Sequence, residues 1–283
     1  VTKKNPFKIS LVQPLTHHPD EDDKNVAEAV KYIERAALDG AAFVCFPENY
    51  PGPWRMPMHF DPNKAISDAA RKNKIYVIFG TLEPIDETKK TAYNLISMAY
   101  PDGKIVSYRR SHPRGPWIYT GGKDWEFQYV AGDDFSVFDT EYGKVGLAMC
   151  SEIYIPEVTR ALALRGAELI FMPAGANKFT QWETWRVCVW ARAIENLAVV
   201  VTTQNIFNNS EPGLAMIASP ERILFESSLI GQSLVDIDLE RIRYLRTADD
   251  LQPGTPGASN VKHGLLDDGW QRPELYKKIY SFD

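Results

Sequence analysis

FKISLVQ (residues 7–13), NVAEAVKYIERAAL (25–38) and AAFVCFPE (41–48) succeed one another along the chain. The first is an apolar run of strand length. The second repeats its apolar residues at helical spacing, and the third is again a short apolar run, as in a strand buried on both faces. Strand, helix, strand in that order predicts an α/β fold. Outward from this stretch the alternation continues with a helix over 63–72 and strands in IYVIFGTLE, YNLISMAY and IVSYRR. The Asp-Gly of PDGK joins the last two as an antiparallel hairpin. The second half repeats the rhythm: strand KVGLAMC, helix 156–164, strand AELIFMPA, helix 181–197, strand AVVVTTQ, then GLAMIAS and SLVDIDL. Two comparable halves predict a layered sandwich of sheets and helices. With no linker rich in Pro, Gly or Ser before residue 252, residues 1–283 read as one domain, with a turn-rich tail from about 252 on the surface or against a partner subunit.

Composition narrows the function classes. The chain has 283 residues, 44% of them hydrophobic, and a formal net charge of −5, as expected of a soluble globular protein. Mild acidity with interspersed basic residues excludes a nucleic-acid footprint, which needs a concentrated basic face. No run approaches the roughly 20 apolar residues of a membrane span, and VTKKNPFKIS lacks the apolar core of a signal peptide. The expected location is therefore the cytoplasm, with no membrane partner. Cys45, Cys150 and Cys188 lack metal-ligand spacing, as do the five histidines. Free thiols, no structural metal and no cofactor are expected.

Three strand ends carry groups that chemistry can use. In KVGLAMC the apolar Val145, Leu147 and Met149 alternate with small residues, so Cys150 closes a strand at the sheet edge where α/β proteins bind ligands. Pro156 suits the first turn of a following helix, whose N-terminus would favour a thiolate. Taken alone, a free cysteine is more often a small buried hydrophobe, and Cys45 and Cys188 keep that reading. FVCFPENYPG places Glu48 after an apolar run, as a general base or as a cap. IVSYRRSHPRG ends in Arg109, Arg110 and His112, either the exposed end of an edge strand or a source of positive charge. An acid, a cation and a thiol at three strand ends of one pattern are the set that nucleophilic catalysis requires.

With those residues identified, the chain resembles the nitrilase superfamily of carbon-nitrogen hydrolases over nearly its whole length. FPENYPG resembles the family's glutamate motif, YRRSHP its lysine motif and GLAMCSEIYIPEVTRALALRGAELIFMPA its cysteine motif. ARAIENLAVVVTTQN resembles the following helix and strand, and QRPELY the usual tail. The resemblance implies a four-layer αββα sandwich, commonly a homodimer or larger homo-oligomer. It also implies a Glu-Lys-Cys triad, often with a second glutamate: Glu48 deprotonates Cys150, the thiolate attacks an amide, carbamoyl or nitrile carbon, and water hydrolyses the thioester. The Ser151 backbone N–H would be one oxyanion donor.

One position departs from the pattern, because Arg110 stands where the family has lysine. Arginine keeps the charge but is a poor proton donor with a larger, planar head. Three outcomes stay open: Arg110 supplies the electrostatics, Lys123 enters from the loop GPWIYTGGKDWEFQ, or catalysis is impaired and the chain is a binding homologue. Glu126 is the candidate second glutamate, with Asp124 as rival. Glu152, two residues after the thiol, matches the nitrilase branch, whereas Ser151 stands where that branch has tryptophan. Trp54 and Trp117 lie in aromatic-rich loops that line a pocket or simply pack. With Asn177, Lys123, Ser151 and Glu152 they complete the candidate substrate-binding set. The reading favours amide or carbamoyl hydrolysis over nitrile hydrolysis.

Overall fold

The computed structural model describes residues 4–17, 20–86, 88–113, 128–175, 182–208, 212–247, 265–266 and 271–280. Strands β1 (Phe7–Gln13), β2 (Phe43–Cys45) and β3 (Tyr76–Asp86) lie parallel and adjacent. Their side chains alternate between faces, as a pleated strand requires. Ile9, Leu11, Phe43, Cys45, Tyr76 and Ile78 point into one core, and Val12, Val44, Val77 and Phe79 into another. The second core is closed by α1 (Lys24–Leu38) and α2 (Asn63–Asn73). Ala29, Ile33 and Ala36 form the buried stripe of α1 at helical spacing, and Ile66, Ala69 and Ala70 that of α2.

The sheet continues through β4 (Thr91–Ala99) and β5 (Ile105–Arg109), each antiparallel to its predecessor. Their turn is the expected Asp102-Gly103 hairpin, with Gly103 at φ +92°, a conformation that glycine adopts without steric cost. β6 (Gln128–Tyr129) pairs with β4. On the opposite edge β13 (Gly231–Ile237) returns to pair along the whole of β1.

The second sheet runs in the order β12 (Ile223–Ser227), β11 (Ala215–Ala218), β10 (Val199–Thr202), β9 (Leu169–Phe171), β8 (Lys144–Leu147), β7 (Val137–Asp139). Its central strands β8, β9 and β10 are parallel, and α3 (Pro156–Leu164) and α4 (Trp182–Asn196) pack on it. The two sheets meet through a shared apolar core, where the rings of Phe43 and Phe171 lie 5.6 Å apart. The result is the αββα sandwich that the resemblance implied.

The sequence reading omits β6, β7, β12, α5 (Glu240–Thr247) and α6 (Pro273–Tyr280). β7 and β12 close the edges of the second sheet with mostly half-buried residues, so they lack strong apolar alternation. In the tail, expected to be turn-rich, α6 starts at Pro273, and its Tyr280 hydroxyl donates to the Glu157 carboxylate of α3.

What positions the site is the carboxyl edge of both sheets. Beyond the strands, the Ala148 N–H donates to the Phe171 carbonyl at 3.0 Å, that of Cys150 to Pro173 at 2.9 Å and that of Ala174 to Thr203 at 2.9 Å. The N–H of Glu48, from the first sheet, donates to the Ala174 carbonyl at 3.1 Å. Backbone hydrogen bonds thus stitch the two sheets together where the chemistry-bearing residues emerge.

Candidate active site

Cys150 stands three residues past the end of β8, not at its last position. It has φ +50° and opens a short 3-10 turn, Cys150–Tyr154. That left-handed backbone is uncommon for a residue with a Cβ and is typical of side chains held for function. α3 begins at Pro156, as expected, and Ile155, which precedes the proline and is extended (φ −113°, ψ 96°), separates it from the turn that holds the thiol.

The thiol is 5% exposed, and the Glu48 carboxylate, the Arg110 guanidinium and the Gly175 backbone all lie close enough to act on its ionisation. Burial, and after it the Glu48 carboxylate, push its pKa up to about 12, while Arg110 pulls it down. The resting sulfur is therefore protonated. Thiolate forms by handing the proton to a base, not by prior ionisation.

Glu48 is 1% exposed. Its Oε1 accepts from Asn94 Nδ2 and from Arg110 Nη1, each at 3.0 Å, and its carbonyl accepts from Asn205 Nδ2 at 2.9 Å. The turn after it requires a close approach: a Cβ on Gly80 would lie 2.2 Å from the Asn49 nitrogen. Gly80 in turn donates its N–H to the Tyr50 carbonyl at 2.8 Å.

Strand alternation at the end of β5 separates the two arginines. Tyr108 and Arg110 turn inward, each 1% exposed, while Arg109 turns out to an exposed ion pair with Glu83 at 2.6 Å. The edge-strand reading holds for Arg109 and fails for Arg110. The Arg110 N–H donates to the Asn94 carbonyl and its own carbonyl accepts from Gly132, at 2.9 and 2.7 Å. Burial opposes its charge, yet the Glu48 carboxylate, with Cys150 and Glu152 beyond it, holds its pKa above the ordinary arginine value. Nη2 donates to Ser151 Oγ at 2.5 Å.

Glu152 is fully buried and its oxygens are occupied by the chain itself. Oε1 accepts from the Tyr108 hydroxyl (2.7 Å), the Ser111 N–H (3.0 Å) and hydroxyl (2.9 Å), and the His112 N–H (3.0 Å). Oε2 accepts from the Met149 N–H at 2.9 Å. Burial works against its ionisation, but the His112 ring, with Nδ1 3.8 Å from Oε1, and the charge of Arg110 keep its pKa below the usual carboxylate value. This clamp welds the segment carrying Arg110 to the turn carrying Cys150. Trp54 is also buried. It donates to the Asn49 carbonyl and packs with Met56, Leu82 and Tyr129 behind the Glu48 turn, with Phe207 edge-on at 5.8 Å. Glu126, Lys123, Trp117 and Asn177 lie outside the described residues.

Asn94 and Tyr129 escaped the sequence reading. Asn94 had a signal, a lone amide within the apolar run YNLISMAY. Tyr129, whose hydroxyl accepts from Asn49 Nδ2 at 3.2 Å, had none. Among the described residues no group of three or more His, Cys, Asp or Glu side chains is placed to hold a metal ion, and no helix is long and apolar enough to cross a membrane.

The geometry is that of a buried carboxylate, cation and thiol at one sheet edge, and the model of the carbon-nitrogen hydrolase family matches residues 8–247. The chain belongs to the carbon-nitrogen hydrolase family. This carbon-nitrogen hydrolase is 30% identical to omega-amidase NIT2 of Mus musculus over 85% of the chain and 91% of that protein. It is 26% identical to deaminated glutathione amidase of Synechocystis sp., covering 85% and 95% of the two. A solved structure of an amidase from Nesterenkonia sp. superposes with a TM-score of 0.74 at 19% identity, over 96% of each chain. The nitrilase-superfamily resemblance and its sandwich fold are thereby established for this hydrolase.

Proposed function

We propose that this hydrolase is an amidase that cleaves a small-molecule amide or N-carbamoyl compound through a thioester on Cys150. The observation that carries the reading is the meeting of Glu48, Arg110 and Cys150, all nearly inaccessible to solvent, with the carboxylate paired to the guanidinium and close enough to the thiol to act on its ionisation. The two relatives described above are named as amidases, which supports an amide over a nitrile.

In the proposed cycle Glu48 takes the thiol proton as the sulfur attacks the carbonyl carbon. The oxyanion forms beside the Ser151 N–H and the Arg110 charge. Glu48 then gives its proton to the departing nitrogen, the C–N bond breaks, and the acyl group stays on sulfur. Glu48 next takes a proton from water as the oxygen attacks the thioester, and returns it to the leaving sulfur. The products are ammonia or an amine together with a carboxylic acid, or, from an N-carbamoyl compound, carbamic acid that breaks down to carbon dioxide and ammonia. Arg110 provides fixed charge and no proton, since a guanidinium does not deprotonate near neutral pH. A cytoplasmic homo-oligomer acting without metal or cofactor completes the proposal.

Ammonia release from a panel of amides, carbamoyl compounds and nitriles tests it. The wild type should act on amides or carbamoyl compounds and Cys150→Ala on none; equal turnover by the two proteins refutes the reading. An inert wild type that gains activity with Arg110→Lys would instead identify a binding homologue that lost catalysis.

A further inference from the structure

We propose that Ser151 is a positioning residue for Arg110, and that the two side chains work as a matched pair. The proposal rests on the amidase reading. The guanidinium is 1% exposed and is held along two of its edges: Nη1 on Glu48 Oε1 at 3.0 Å and Nη2 on Ser151 Oγ at 2.5 Å. Nε is buried and has no hydrogen-bond partner among the described residues. Two of the five N–H groups of this rigid, planar cation are thus anchored, and the two anchors decide where the others point, toward an oxygen of the substrate in the proposed cycle.

Ser151 suits the task on two counts. Its hydroxyl can accept from the guanidinium while donating elsewhere, and it adds no charge that would compete with Glu48 for the arginine. Its small side chain also leaves the room that the guanidinium occupies, since a bulky group at 151 would fill the space that Nη2 reaches into at 2.5 Å. The neighbouring Cys150 is tied to the same geometry, because the Arg110 charge acts on the sulfur. A guanidinium released from Ser151 would retain its ion pair with Glu48 but swing about it, and both the oxyanion edge and the field at the thiol would move.

The consequence is that residues 110 and 151 cannot be exchanged independently. Lysine at 110 supplies a single ammonium head, which cannot span Glu48 and Ser151 as a planar fork does.

The test is a kinetic cycle of wild type, Ser151→Ala, Arg110→Lys and the double variant, each assayed for ammonia release and for the pH profile of Cys150 alkylation by iodoacetamide. Ser151→Ala should lower kcat by about 10²-fold, the scale of a misplaced catalytic group, with KM little changed. Its alkylation profile should move to higher pH, which a loss of packing alone would not produce. Ser151→Thr, which keeps the hydroxyl, should recover most of the activity. Ser151→Cys, similar in volume but lacking the oxygen acceptor, should behave like Ser151→Ala. Arg110→Lys should be slow, and adding Ser151→Ala to it should cost little more, because the interaction is already gone.

Wild-type kinetics in Ser151→Ala, or the same cost in the lysine background as in the arginine one, overturns the pairing. A wild type that releases no ammonia and forms no acyl adduct refutes the amidase reading instead. The alkylation profiles then still decide the pairing, expected to shift in Ser151→Ala and overturning it if they do not.

Discussion

Arg110 donates from Nη1 to Glu48 Oε1 at 3.0 Å, and the two side chains are only 1% and 2% exposed. A pair so deeply buried is weak evidence for net stability, because desolvating two charges consumes much of their attraction. It is better evidence for pre-organisation, since the same carboxylate also acts on the ionisation of the thiol. Removing one partner leaves the other charge buried and uncompensated. Arg110→Met should therefore cost about 3–5 kcal/mol of stability, read by denaturant unfolding. Glu48→Gln/Arg110→Met should recover part of that loss, and a double variant less stable than Arg110→Met contradicts the pairing.

Glu48 has opposite effects on the ionisation of Cys150 and on catalysis. Burial raises the pKa of the thiol first and Glu48 raises it next. Glu48→Gln should thus cut amide turnover by about 10²–10⁴-fold, as loss of a general base does. It should also shift alkylation of Cys150 by iodoacetamide to lower pH. A shift to higher pH, or none, would mean that the carboxylate does not act on the sulfur.

The clamp around Glu152 gives a pH dependence with a defined sign. The pKa of His112 is raised, chiefly by the Glu152 carboxylate, whose Oε1 lies 3.8 Å from the ring Nδ1, so the protonated ring stabilises the fold. That contribution is complete below the unfolded value of about 6.5 and is lost as pH rises through the higher folded value. The Glu152 carboxyl, held low against its burial, contributes above about pH 4.3 and ceases to do so as pH falls through its folded value. NMR titration of the His112 ring should give a pKa above 6.5 that drops in Glu152→Gln; the same value in both proteins contradicts the coupling.

Gly80→Ala tests the support under Glu48. The added methyl would meet the Asn49 nitrogen at 2.2 Å, which is backbone and cannot rotate aside. The expected result is a lower Tm together with a fall in kcat, since the turn that carries Glu48 must shift. A variant with wild-type Tm and turnover would show that the turn does not depend on this contact.

Much of this site is legible in the sequence because its parts end strands. The alternation of β1, β2 and β3 sorts their residues between two cores, and the runs ending near Glu48, Arg110 and Cys150 are apolar enough to stand out. What escapes is set by contacts between residues far apart in the chain. Asn94 meets Glu48 across 46 positions and Tyr108 meets Glu152 across 44, and no local pattern encodes either pairing. The left-handed turn at Cys150 is hidden for the same reason. KVGLAMC reads as a strand to its end, yet pairing stops at Leu147, and backbone hydrogen bonds to the loop after β9 hold the rest.

Intact-mass analysis during turnover of an amide tests the central claim most directly. The wild type should gain the mass of the acyl group on the peptide containing Cys150, and the adduct should decay as the acid appears, while Cys150→Ala gains nothing and releases no ammonia. Ammonia release by Cys150→Ala at the wild-type rate would contradict the assignment of Cys150 as the nucleophile.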